Sequence, residues 1–174
     1  MTNTTTFEAS WGVAREPVGS ADALALFRDY YTEVSDRYYL LHEGHRTAPE
    51  ELARCLAEET GAELEPPKGV LLVARYGGEA AGCTGIRLVD DRDRTAELSR
   101  VFVRRERRGC GGGARLLAEA EHTARGMGAE RIVLDTRHDL VEARALYARH
   151  GYAEVPAFNS RRYAQRWFAK ELTG

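Results

Sequence analysis

Arg108-Gly109-Cys110-Gly111-Gly112-Gly113 is the stretch on which the fold turns. It follows a strand-like run ending at Val103, and it opens a segment whose Leu116, Leu117, Ala120, Ala124 and Met127 recur at helical spacing until Gly128. A glycine-rich turn between a strand and a helix points unpaired backbone N–H groups at an anion, and glycine lets a phosphate approach the chain closely. Arg100, Arg104, Arg105, Arg107, Arg108 and Arg115 stand around it with the single acid Glu106, a local excess of five positive charges. The turn lacks the lysine and hydroxyl of a nucleoside-triphosphate loop. Gly109, Gly111 and Ala114 do satisfy the spacing of a dinucleotide fingerprint, with Asp135 placed where a ribose-binding acid would sit. Against that reading, the charged stretch 104–108 separates strand from turn, and too little chain follows Asp135 for further strand-helix repeats.

Outward from the turn, residues 96–103 read as a strand, and Gly77-Gly78 marks a tight hairpin between strands at 70–75 and 79–88. The run 90–94 is a solvated turn. Residues 131–135 contain Ile132-Val133-Leu134, suited to a strand buried on both faces, and a helix over 141–150 stops at Gly151. Residues 163–172 read as a last strand. Upstream, a short strand at 11–16 precedes a helix capped by Ser20, and a second helix follows Pro49 and ends near Gly61. The spacing predicts an α/β fold with a mixed sheet: an antiparallel meander feeding a strand-loop-helix-strand unit, with helices on both faces.

The 174 residues carry Lys+Arg 25 and Asp+Glu 27 for a net charge of -2, with 43% apolar residues. One domain over 10–174 with a frayed tail over 1–9 is expected. The near-neutral balance argues against nucleic acid as a partner. Three cysteines without a CxxC pair speak against a disulfide framework or zinc knuckle. With no basic, apolar leader and no apolar run of membrane length, we expect a cytoplasmic chain free of membrane and metal, and a homodimer is left open.

The turn also matches the [QR]xxGx[GA] motif of the GNAT superfamily of N-acetyltransferases, preceded by Glu97-Leu98-Ser99-Arg100-Val101-Phe102-Val103, which resembles that family's fourth strand. Downstream, the stretch from Glu142 through Ala143 and Leu146-Tyr147 to Gly151-Tyr152 resembles its EAxxLYxxxGY segment. Leu140 stands where many members carry asparagine. The resemblance implies an acetyl-CoA-dependent N-acetyltransferase that transfers directly to the primary amine of a small molecule or amino-acid-like acceptor. It implies that Arg108, Gly109, Cys110, Gly111, Gly112, Gly113 and Ala114 hold the coenzyme A pyrophosphate, and that Val101, Phe102 and Val103 pair with the pantetheine arm. Tyr147 matches the family's general acid; Glu97 is the candidate proton acceptor, through water.

Cys110 occupies a variable position of the motif, where only the backbone is used. Tyr30-Tyr31, Arg37-Tyr38-Tyr39, His42 and His45 are read as the connection between the first two helices, and in the resembling family that connection lines the acceptor pocket. Tyr31, Arg37, Tyr38 and Tyr39 are thus candidates for an amine that also carries a carboxylate or a ring. Two other classes stay open at this point: a Rossmann-type nucleotide-dependent enzyme and a non-catalytic acyl-CoA sensor.

Overall fold

Strands come first in the computed structural model, which describes residues 9–90 and 92–172. The tail expected over 1–9 lies outside them apart from Ala9, as does residue 91 of the expected turn. With elements numbered in chain order, β1 (Trp11–Arg15), β2 (Gly69–Tyr76), β3 (Glu79–Asp90) and β4 (Thr95–Val103) form the meander, followed by β5 (Arg131–Thr136), β6 (Ala153–Val155) and β7 (Arg166–Glu171). They make one sheet in the order β1-β2-β3-β4-β5-β7-β6. Only β4 and β5 run parallel; the other neighbours are antiparallel. That topology corrects the dinucleotide alternative, because the chain after Asp135 builds an antiparallel hairpin rather than another parallel strand.

The helices are α1 (Ala21–His42), α2 (Pro49–Glu58), α3 (Gly112–Gly126) and α4 (Val141–Arg149). Ser20 caps α1, its hydroxyl accepting from the Ala23 amide at 3.0 Å. The expected connection between the first two helices is mostly helix: residues 30–42 continue α1, whose 22 residues span about 33 Å. No glycine or proline interrupts the chain between Ser20 and Gly44, and Gly44 has the left-handed φ of 75° that ends such a helix. The last strand is shorter than read, and β6, only three residues long, carries too brief a pattern to be seen in sequence.

Both sheet faces are packed. On one side Leu72, Ile86, Leu98, Ile132 and Leu134 meet Leu117, Ala120 and Ala124 of α3 and Tyr147 of α4; on the other, Leu71 and Val73 meet Ala23, Leu26 and Phe27 of α1. Among the described residues no helix is long and apolar enough to cross a membrane.

Two irregularities shape the site. β4 pairs with β5 only over Thr95–Glu97 and Arg131–Val133, so its remaining length has no strand neighbour on that side among the described residues. Opposite Thr84 the register shifts, with Cys83 facing Phe102 and Gly85 facing Ser99, and the extra residue is absorbed where Arg100 adopts φ 51°. A bulge of this kind bends the strand and turns it away from its neighbour.

Candidate active site

The glycine-rich turn divides its labour. Gly109 and Gly111 have φ of 77° and 88°, which a side chain rarely adopts. Gly112 and Gly113 serve packing instead: a Cβ on Gly112 would lie 2.5 Å from the Trp11 ring, and one on Gly113 would lie 2.9 Å from Leu146. Trp11 Nε1 donates to the Cys110 carbonyl at 2.8 Å and fixes the loop. No side chain caps α3, and its first internal bond is Arg115 N–H to the Gly111 carbonyl at 3.2 Å. The amides of Gly112, Gly113 and Ala114 therefore have no partner among the described residues, the free N-terminus an anion needs.

The six arginines do not form one basic cluster, a correction to the charge reading. Arg100 turns inward with a side chain only 4% exposed. Arg104 pairs with Asp29 of α1 at 2.9 Å, and Arg108 pairs with Glu33 at 2.7 Å while its Nε donates to the Val103 carbonyl at 2.8 Å. Arg105 also faces Glu33, at 3.7 Å, and Arg107 lies over the Tyr76 ring. Carboxylates remote in sequence thus offset much of the local charge, which leaves the unpartnered helix amides as the candidate anion site.

Beside the gap between β4 and β5 lies a cavity of about 370 Å³. Tyr30 and Tyr31 form its aromatic wall; Leu98 and Ser99 contribute the strand beside the bulge. The remaining wall is charged. Buried Glu97 receives Arg87 Nε and Nη2 on Oε1 at 3.3 and 3.2 Å, and Arg161 Nη2 on Oε2 at 2.7 Å. Arg161 Nη1 also reaches Asp135 Oδ2 at 3.2 Å, where Asn159 donates as well. Arg100 bonds Glu63 at 2.6 Å and reaches Glu59 at 3.5 Å, with Phe27 and Tyr31 rings beneath its guanidinium.

Tyr147 is buried on α4 with its ring 5.9 Å from those of Tyr152 and Phe168. Its hydroxyl has no hydrogen-bond partner among the described residues. Burial, and then the neighbours Tyr30 and Asp135, push its phenol above the usual value, so it keeps its proton at neutral pH. Tyr30 and Asp135, which act on it electrostatically, line the cavity, while Tyr147 itself is not among the lining residues.

Of the four acceptor-site candidates, only Tyr31 lines this cavity. Arg37 instead pairs with Glu142 at 3.1 Å and faces Asp139, bridging α1 to the start of α4. Tyr38 meets Tyr163 at 5.2 Å and His42 at 4.6 Å; Tyr39 donates to Glu51 and stacks on His45. The continued helix sets this: about two turns beyond Tyr31 it has left the gap.

Sequence reasoning missed Arg87, Arg161, Glu59 and Glu63. Arg87 had a signal, because a hairpin centred near residue 92 sets it opposite Glu97. Arg161 lies in the irregular segment 156–165, where no periodicity fixes its direction.

A sheet whose β4 parts from β5 beside unpartnered helix amides, and whose last strands are antiparallel, is not the parallel sheet of a dinucleotide fold. Residues 22–152 match the acetyltransferase (GNAT) family, and the chain belongs to it as an acetyltransferase. It is 35% identical over 100 residues to the uncharacterized N-acetyltransferase YhfO of Bacillus subtilis, covering 56% of this chain and 67% of that one. The fold is similar to that of a GNAT-family acetyltransferase from Staphylococcus aureus, with TM-score 0.72 and 14% identity over 94% of this chain and 100% of the other. It is also similar to the PaiA N-acetyltransferase of Thermoplasma acidophilum, solved in complex with coenzyme A, with TM-score 0.69 and 15% identity over 93% and 99% of the two chains.

Proposed function

We propose that the protein moves an acetyl group directly from acetyl-CoA to the primary amine of a small molecule. The observation that carries this reading is the free stretch of β4 beyond Glu97, running toward the three unpartnered amides of α3. An amide-bearing arm can add to such a strand while its pyrophosphate meets the helix N-terminus. Val101, Phe102 and Val103 are the pairing strand, and Gly109 to Ala114 with Arg108 form the anion cradle. Bound acetyl-CoA supplies an activated acyl carbon. Backbone N–H groups near the bulge polarise its carbonyl, and Tyr147 gives its proton to the departing thiolate.

Glu97 takes up the amine's proton through water. Three guanidinium bonds leave one acceptor position on Oε2 for that water. Glu97→Gln should lower kcat/KM about 10- to 100-fold near pH 7, with partial recovery as pH rises and more acceptor is already neutral. Equal losses at pH 7 and pH 9.5 would remove the proton-acceptor role.

Cys110 is exposed beside the free amides and no step of direct transfer uses its thiol. Cys110→Ala is expected to keep turnover within about 2-fold, while iodoacetamide on the parent protein blocks coenzyme A binding through bulk. An inactive alanine variant that still binds would favour an acetyl-cysteine route with ping-pong kinetics. The reading as a whole is tested by following free thiol released from acetyl-CoA across a panel of amines; release that no amine stimulates would reject it.

A further inference from the structure

We propose that Arg87 and Arg161 form a fork for a carboxylate on the acceptor, so that the acceptor is an amino acid rather than a simple amine or diamine. The inference rests on the transferase reading above and assigns the cavity's specificity. Both guanidiniums are held on one carboxylate: Arg87 on Glu97 Oε1 and Arg161 on Glu97 Oε2. Glu97 is itself 6% exposed, so the anchor is fixed inside the protein while the two arginines reach the rim with side chains 32% and 47% exposed.

Donor accounting decides what the rim can bind. A guanidinium has five N–H groups. Arg87 spends one N–H each of Nε and Nη2 on Glu97, leaving three that include both of Nη1, and Arg161 spends one each of Nη1 and Nη2 on Asp135 and Glu97, leaving three that include Nε. An anion can therefore join the outer edges without displacing a protein group. A second cation on the acceptor meets the opposite situation. Each carboxylate of the wall already holds a guanidinium: Glu97 those of Arg87 and Arg161, Asp135 that of Arg161, and Glu59 and Glu63 that of Arg100. A cationic group has to break one of these pairs to bind. Arg is suited to this task because its planar fork matches a carboxylate. Arg37, the arginine singled out in the sequence for a carboxylate, is occupied with Asp139 and Glu142.

The test compares the L-amino acids as free acids with the same amino acids as carboxamides, which keep the amine and delete the anion. Thiol release from acetyl-CoA is followed for each, with 1,5-diaminopentane alongside. The best acid should exceed its own amide by about 30-fold or more in kcat/KM, mainly through KM. Arg161→Gln and Arg87→Gln should each reduce that acid-to-amide ratio about 10-fold or more, and Arg161→Lys should recover part of it. A merely structural effect would slow acid and amide alike and leave the ratio unchanged. The proposal is overturned if amides or the diamine match the acids, if no acid reacts, or if the ratio is unmoved in both glutamine variants. Failure of acetyl-CoA to bind, measured separately by calorimetry, overturns the transferase reading instead.

Discussion

Tyr147→Phe is expected to lower kcat about 10- to 1000-fold while leaving acetyl-CoA affinity within about 2-fold, the range for removal of one general acid. Phenylalanine keeps the packing against Tyr152 and Phe168. The deleted hydroxyl has no protein partner among the described residues, so no internal hydrogen bond is lost and the melting temperature should hold. Activity falls because the proton for the thiolate is gone. The raised pKa, caused first by burial, means that the parent shows no loss of this acid between pH 6 and 9. Turnover of the variant at the parent rate with the physiological acceptor would transfer the task to water or another group.

Gly111→Val should lower coenzyme A affinity by about 100-fold or more. Gly111 caps α3 at φ 88°, and a β-branched residue there is strained by roughly 1–2 kcal/mol or more even though the space around it is open. The turn relieves that strain by rotating, which redirects the amides of Gly112, Gly113 and Ala114. Melting should fall by only about 2–4 °C per kcal/mol of strain. Gly126→Ala, at a helical glycine with no close neighbour and an ordinary φ, is the control and should bind as the parent does. Unchanged affinity in a folded Gly111→Val protein, measured by calorimetric titration, would move the anion site elsewhere.

What could be read in advance depended on how local its cause is. Ser20, Pro49, Gly77-Gly78 and the glycine-rich turn act on their immediate neighbours, and the cap, helix start, hairpin and α3 start follow them. The bulge at Arg100 depends on pairing between β3 and β4, and the parting of β4 from β5 accompanies that bulge. Neither leaves a mark in one stretch of chain. The site divides in the same way. Glu97 and Tyr147 sit on regular elements whose faces can be counted; Glu97 lines the cavity, and Tyr147 lies in the core against Tyr152 and Phe168. Arg37, Tyr38 and Tyr39 lie off the cavity because α1 runs unbroken through the stretch expected to connect two helices. Arg161 leaves no local sign in the sequence, since its partners, Glu97 and Asp135, are 64 and 26 residues away.

Backbone hydrogen exchange with and without coenzyme A tests the central claim most directly, because it reports on the amides that the proposal assigns to the donor. Slowed exchange is expected in two segments, residues 99–103 of β4 and 109–115 at the start of α3, with the β1 edge and α2 unchanged. Protection absent from both segments, or confined to another part of the molecule, would contradict binding along the parted strand and the α3 N-terminus.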